Sequence, residues 1–303
     1  MKAVHAYLIL AHAHFGQLKT LLSLLDDGRN DIYIHIDARS EGWSREGLQS
    51  TCRHAQVRWI EPRIATHWGG VSLMRAELAL LKAALPGHYR YYHLLSGMDL
   101  PIKTQDAIHT FFERNDGKEF VEFWEMQSHT RNRAALYTLF PEGAGNFAAN
   151  LANNLFKLLQ KAVGYRRNRD VDFHQGSQWF SITDACARFV VSQEAWLEKV
   201  FSHANTVDEL FLPTLLWNSP FRERLFDATL HAGHEPSQAN MRLIDWSRGE
   251  SIRHPWTFRD YDFEMLTNAP QFWARKFDDS IDAEIIRMLV RHIKGELTEE
   301  ERS

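Results

Sequence analysis

The stretch His5–Asp37, HAYLILAHAHFGQLKTLLSLLDDGRNDIYIHID, decides how the chain reads. Two apolar runs, AYLIL at 6–10 and DIYIHID at 31–37, bracket a segment near Gln17–Leu25 whose leucines recur at helical spacing. Strand, helix and strand joined by short connections make a βαβ unit with parallel pairing. The pattern continues outward. VRWIE (57–61) reads as a strand, SLMRAELALLKAAL (72–85) as a helix, and YRYYHLLSG (89–97) as a strand ended by the breaker-rich GMDLPIK. AIHTFFERN (107–115) predicts a further helix and EFVEFW (119–124) a strand, so the first half is α/β with a largely parallel sheet. A less regular middle, Gln127 to His174, precedes a strand in SQWFSI (177–182) and helices over Asp184–Val200 and Val207–Trp217. From Arg242 onward come short strands and a last helix near Ile281–Ile293; the polar tail GELTEEERS reads as frayed.

The chain has 303 residues, shows no linker or internal repeat, and reads as one domain. Its 35 basic and 39 acidic residues leave a net charge of −4, which argues against a nucleic-acid-binding face and makes any anion site focal. Two cysteines, Cys52 and Cys186, support no disulfide framework and suggest a reducing, cytoplasmic setting. No apolar run reaches membrane-spanning length. The stretch FAANLANNLFKLLQKAVGYRRNR (147–169) reads as a helix packed on the core. The alternative is an amphipathic helix on an anionic membrane surface, giving peripheral contact.

In an open α/β sheet, ligands bind beyond the carboxyl ends of the strands, where Asp37 and Asp99 stand. The dinucleotide fingerprint, the P-loop and the G-x-S-x-G elbow are all absent. Sixteen His residues form no H-E-x-x-H or Cys-His zinc pattern, so no metal is expected. GSQWF (176–180) predicts Gly176 and Ser177 at a tight turn before a strand, or at a close backbone approach to a ligand. Thr206 followed by Glu209 reads as a helix-capping box, while a carboxylate on a rigid element could equally be a general base. FWARKFD (272–278) sets Arg275 and Lys276 between aromatic rings. The pair reads either as a helix end or as a clamp for a diphosphate.

Seven segments taken in order, AYLILAH, IYIHID, WGG…AEL, YYHLLSGMDLPIKT, GSQWFSIT, DELFLPTLL and FWARKFD, resemble glycosyltransferase family 14, which holds core-2/I-branching N-acetylglucosaminyltransferases and peptide O-xylosyltransferases. The resemblance implies one GT-A-like domain over 1–303, with 1–125 mainly UDP-binding, 126–295 mainly acceptor- and diphosphate-binding, and 296–303 a tail. It implies an inverting, metal-independent transfer from a UDP-sugar, most simply UDP-GlcNAc, to a hydroxyl of a glycan or lipid-linked glycan. UDP-xylose is the alternative donor, and a catalytically silent glycan-binding protein the alternative class. By position, Glu209 is implied as the base, and Arg253, Arg275 and Lys276 as the diphosphate clamp. Ala11, His12, Asp37 and Asp99 are implied at the nucleotide. Glu122, Arg133, Gly176, Ser177, Gln178 and Trp179 are implied at the acceptor. Thr130 stands where branching enzymes carry a Lys, and the lack of an anchor and of many cysteines points to a soluble, bacterial-type member.

Overall fold

The computed structural model describes residues 3–142, 146–232, 237–249 and 254–296. The chain runs β1 (His5–Ala11), α1 (Phe15–Leu25), β2 (Asn30–Ile36), α2 (Arg45–Gln49), β3 (Gln56–Trp59), α3 (Val71–Ala84), β4 (Tyr91–Ser96) and β5 (Leu100–Pro101). It continues with α4 (Gln105–Arg114), β6 (Phe120–Trp124), α5 (Ser128–Ala135), α6 (Phe147–Ala162), β7 (Gln175–Thr183), α7 (Asp184–Ser192), α8 (Glu194–Phe201) and α9 (Phe211–Trp217). The last elements are β8 (Leu230–His231), β9 (Arg242–Ile244), α10 (Phe263–Asn268), β10 (Trp273–Arg275) and α11 (Ala283–Lys294).

The α/β class expected from the sequence forms. A seven-stranded sheet has the order β3-β2-β1-β4-β7-β6-β8, and β10 joins β5 and β9 in a second, three-stranded sheet. Strands β1 to β4 are parallel, β7 runs antiparallel to both neighbours, and β8 is parallel to β6. β1, β2 and β4 are apolar nearly throughout because helices cover both faces of a parallel sheet. Alternate residues of β1 feed the two cores. Ala6 and Leu8 pack with Met74 and Leu78 of α3, whereas Tyr7 and Ile9 pack with Leu21 and Leu22 of α1 and with Trp273. The chain steps from β1 out to β3 and then returns to place β4 on the other side of β1, so the order reverses between β1 and β4. The crevice at their carboxyl ends is where such a sheet binds ligands.

Four expectations are corrected. The helix over Asp184–Val200 is two helices, α7 and α8, with Gln193 between them. The Val207–Trp217 helix starts only at Phe211, because Val207–Leu210 form a turn in which the Leu210 and Phe211 amides both bond the Val207 carbonyl. The middle segment carries α5 and α6, and α6 does not pack its apolar face on the core. Its buried residues are Asn153 and Gln160, while Phe147, Leu151, Leu155, Leu158 and Leu159 are exposed. FWARKFD forms a strand rather than a helix end, with Trp273 and Phe277 buried in the core. Three histidines, His5, His93 and His109, stack inside the fold; His93 bonds Ser181 and His5, and His109 bonds Asn30.

Candidate active site at the carboxyl end of the sheet

Position 176 organises the site. Along β6 and β7, Val121 pairs with Phe180 and Phe123 with Gly176, so Ser177, Gln178 and Trp179 lie opposite the single residue Glu122. This is a β-bulge inside β7, and the tight turn expected before the strand is corrected accordingly. Gly176 is required there because a Cβ would stand 1.8 Å from the Glu122 carbonyl oxygen. The close backbone approach that the sequence suggested is therefore to β6. The bulge re-aims its side chains. Gln178 donates to Glu77 at 2.8 Å, the Trp179 ring carries the Arg275 guanidinium at 4.5 Å, and the Ser177 hydroxyl accepts from the Trp179 amide.

Glu209 lies on the turn before α9, and the capping box does not form. Thr206 has a φ of 54°, in the left-handed region, and its amide donates to the Gly69 carbonyl. Its hydroxyl donates to Asn205, and the α9 N-terminus has no side-chain cap. Freed from the helix, the Glu209 carboxylate accepts from Arg133 Nη1 at 3.2 Å and Gln175 Nε2 at 3.1 Å, with a quarter of its side chain exposed. The Gly176 amide bonds the Glu209 carbonyl, tying the turn to the bulge. Burial raises the Glu209 pKa against the pull of Arg133. Burial and the Glu209 charge likewise raise the neighbouring Asp208, whose Oδ1 is buried without a partner. Such tuning suits a group that must take a proton near neutrality.

The cationic side lies at the reversal of strand order. Arg275 Nη1 bonds Asp99 Oδ1 at 2.8 Å, and Asp99 Oδ2 accepts from the Ser96 amide at 2.8 Å, so Asp99 both closes its loop and aims the cation. Ala11 ends β1 buried, with its carbonyl accepting from the Asp37 amide. The next residue, His12, is exposed; partial enclosure chiefly lowers its pKa, with the charge of Asp37 opposing and that of Arg275 reinforcing. The Lys276 ammonium makes no hydrogen bond or ion pair among the described residues, while its backbone bonds Trp256 and Phe258. Arg253 lies outside the described residues, as do positions 297–303 of the expected tail. On both sides of Arg253 the chain is pinned to Asp262, which accepts from Arg248 and from the Trp256 indole.

Asp37 and Glu122 are already occupied. The Asp37 carboxylate accepts from the side chain and amide of Arg39 and from the amide and hydroxyl of Thr66. Burial alone would raise its pKa, but these bonds hold it well below the usual carboxylate range. A ribose hydroxyl would have to replace one of those donors. Glu122 is buried and accepts from Ser237 and Asn240, partners it does not share with Glu209; burial raises its pKa. Arg133, expected with Glu122, instead meets Glu209.

Residues the motifs did not single out complete the site. Gln175, one place before the GSQWF motif, holds Glu209. Arg242 is buried and spans β4 and β7 through the carbonyls of Leu94 and Phe180, with its guanidinium 4.6 Å from the Trp273 ring. Glu77 of the AEL motif is fully buried, with one oxygen bonded to Gln178 and the other unpartnered. Burial, aided by the charge of Asp208, pushes its pKa well above the ordinary value. A carboxyl raised in the folded state contributes fully below its unfolded pKa and loses that contribution as pH rises through the folded value. Glu77→Gln keeps the bond from Gln178, so its Tm should gain on the wild type progressively from pH 5 to 9. Parallel melting curves at all pH values would show that Glu77 is ionised throughout. Among the described residues, His14, Asp278 and Asp279 form the group able to hold a metal, their ligand atoms within 4.8 Å of one another. His14 Nδ1 bonds Asp279 at 3.1 Å.

Comparison with known proteins places the chain at family level. Residues 5–269 match the family model described as Core-2/I-Branching enzyme. Xylosyltransferase 2 of Rattus norvegicus is 28% identical over 305 residues, covering 96% of this chain and 34% of its own. Xylosyltransferase 2 of Homo sapiens is 27% identical over the same shares. Xylosyltransferase 1 of Mus musculus is 26% identical over 312 residues, covering 96% of this chain and 30% of its own. The chain thus spans about a third of the length of these relatives. A crystal structure of mouse xyloside xylosyltransferase 1 in its apo form aligns with a TM-score of 0.37 and 10% identity, over 89% of this chain and 97% of that one. By this match over most of its length, the chain belongs to the Core-2/I-Branching enzyme family.

Proposed function

We propose that the chain transfers a sugar from a UDP-sugar to a hydroxyl of a glycan acceptor in a single inverting displacement. The observation that carries this reading is the division of labour along β7. Gln175 at its start holds the candidate base Glu209, and Trp179, four residues on, holds the cation Arg275. Four residue steps span at most about 14 Å, a distance that a nucleotide-bound sugar and an acceptor hydroxyl can bridge. Glu209 takes the proton of the acceptor hydroxyl, whose oxygen attacks the anomeric carbon from the face opposite UDP. The bond from that carbon to the diphosphate oxygen breaks, and an α-linked donor yields a β-glycoside. The leaving diphosphate is met by Arg275, pre-aimed by Asp99, and by Lys276, whose ammonium keeps its capacity for an anion; Arg253 is proposed as the third cation.

UDP-GlcNAc is the donor that the resemblance to branching enzymes implies. The printed names of the xylosyltransferase relatives favour UDP-xylose as the second reading. Metal independence belongs to the same proposal: fixed cations would do the work a divalent ion does elsewhere, and His14, Asp278 and Asp279 would serve only as a hydrogen-bonded group.

Calorimetry with UDP, UDP-GlcNAc and UDP-xylose, in EDTA and in manganese, tests this. Binding unchanged by EDTA, with one sugar preferred, is the expected result. Lys276→Ala should weaken UDP roughly tenfold, the size of one charge-assisted contact. Unchanged affinity would remove Lys276 from the clamp, and affinity found only with manganese would make the reaction metal-dependent.

A further inference from the structure

α6 is built inside out. Its two buried side chains are amides seven residues apart, and each makes a paired bond with one backbone unit of the segment beneath. Asn153 accepts from the Phe140 amide and donates to the Phe140 carbonyl; Gln160 does the same at Tyr137. These four bonds hold the polar edge of the helix inward, where unpaired amides would be costly. The opposite edge is apolar and open: Phe147 is 83% exposed, Leu155 59%, Leu158 62% and Leu159 58%. At 100° per residue these positions and Leu151 fall within one third of the helix circumference, so the exposed apolar surface is a continuous stripe. From Phe147 to Arg169 the sequence holds Lys157, Lys161, Arg166, Arg167 and Arg169 and no acidic residue, in a chain whose net charge is −4.

We propose that this stripe docks the chain on an anionic lipid surface, its apolar residues entering the boundary between headgroups and acyl chains while Lys161, Arg166 and Arg169 meet lipid phosphates. A large apolar face on a helix lying in the interface plane, with cations on the helix and just after it, is the pattern of interfacial helices, and this cluster, which only Asp170 adjoins, is complementary to anionic headgroups. A second copy of the chain fits less well. Two-fold pairing through the stripe would set these cations against their own counterparts. The surface adjoins the candidate base: Lys157 lies close enough to Arg133 for their charges to repel, and Arg133 holds Glu209. Docking through α6 therefore brings the acceptor side of the cleft near the lipid, where a lipid-linked acceptor would be presented. The docking itself does not depend on the transfer reading, because it is measured without any sugar nucleotide.

The full chain should co-sediment with vesicles of phosphatidylglycerol in phosphatidylcholine, and hardly at all with phosphatidylcholine alone, with binding weakened by salt. The double variant Leu155→Glu and Leu158→Glu changes only exposed positions and should lose at least about tenfold in vesicle affinity. Because the chain already has ten tryptophans, the reporter is the difference in emission between Leu151→Trp and the wild type, which should shift to the blue on anionic vesicles alone and keeps the test independent of how the double variant folds. Equal binding to both vesicle types, unimpaired binding of the double variant, or an unshifted Trp would overturn the proposal. So would a dimer in sedimentation equilibrium that the double variant dissolves, since the stripe would then belong to a second copy.

Discussion

Glu209→Gln is expected to lower turnover at least a hundredfold while UDP affinity stays within about twofold of the wild type, the size of effect that removal of a positioned base produces. The amide has nearly the shape of the carboxylate and can still accept from Arg133 or Gln175 through its oxygen, so the turn before α9 and its bond to the bulge remain. What is lost is the capacity to take a proton. The pH profile of kcat/KM supplies a second readout that a structural role would not move. Burial raises the Glu209 pKa, opposed by Arg133, so the wild-type acid limb should lie above the ordinary value of 4.5 and activity should fall as pH drops through it. Arg133→Ala removes the opposing charge and should carry that limb further upward. Turnover of the Gln variant within a few-fold of the wild type would sink Glu209 as the base.

Asp208 belongs to the same titration. Its buried Oδ1 has no partner and its pKa is raised in part by the Glu209 charge, so the two carboxyls share protons rather than titrating separately. In Glu209→Gln the charge beside Asp208 is gone, and Asp208 ionises at lower pH. Residual activity of the variant should therefore not follow the wild-type acid limb.

The fold was legible where local pattern and tertiary need agree. The apolar runs of β1, β2 and β4 announced strands buried on both faces, and the return of β4 beside β1 set the crevice where Ala11, His12 and Asp99 stand. Elements failed to read where a tertiary bond competes with a local signal. Thr206 and Glu209 have capping-box spacing, yet the bond from Thr206 to Gly69 holds Thr206 left-handed and delays α9 to Phe211. Amphipathicity located α6 but not its orientation. Asn153 and Gln160 look like surface residues until the bare backbone of Tyr137 and Phe140 is known to lie beneath them. Arg275 and Lys276 were visible as paired cations, whereas Gln175, Glu77 and Arg242 were not. Each acts on a partner distant in sequence, and a lone Gln, a helical Glu or a strand Arg carries no motif of its own.

Gly176→Ala, one methyl group, should destabilise the fold by at least about 3 kcal/mol, at the upper end of overpacking effects. The added Cβ would meet the Glu122 carbonyl oxygen at 1.8 Å and its carbonyl carbon at 2.9 Å. Both are backbone atoms of β6, so no rotamer change relieves the contact and β6 and β7 must separate locally. At this chain length, the loss should appear as a fall in Tm of roughly 5 °C or more. Gly28→Ala is the control, because nothing stands within 4 Å of a Cβ there and its melting point should hardly move. The consequence for function follows from the same geometry. Moving the bulge displaces Gln175 from Glu209 and Trp179 from beneath Arg275, so in the protein that does fold, turnover and UDP affinity should fall together. Glu209→Gln, by contrast, separates the two. A Gly176→Ala protein melting within about 1 °C of the wild type would mean that β7 can shed its bulge without cost, and the bulge would then no longer explain why a glycine precedes the Ser-Gln-Trp of this motif.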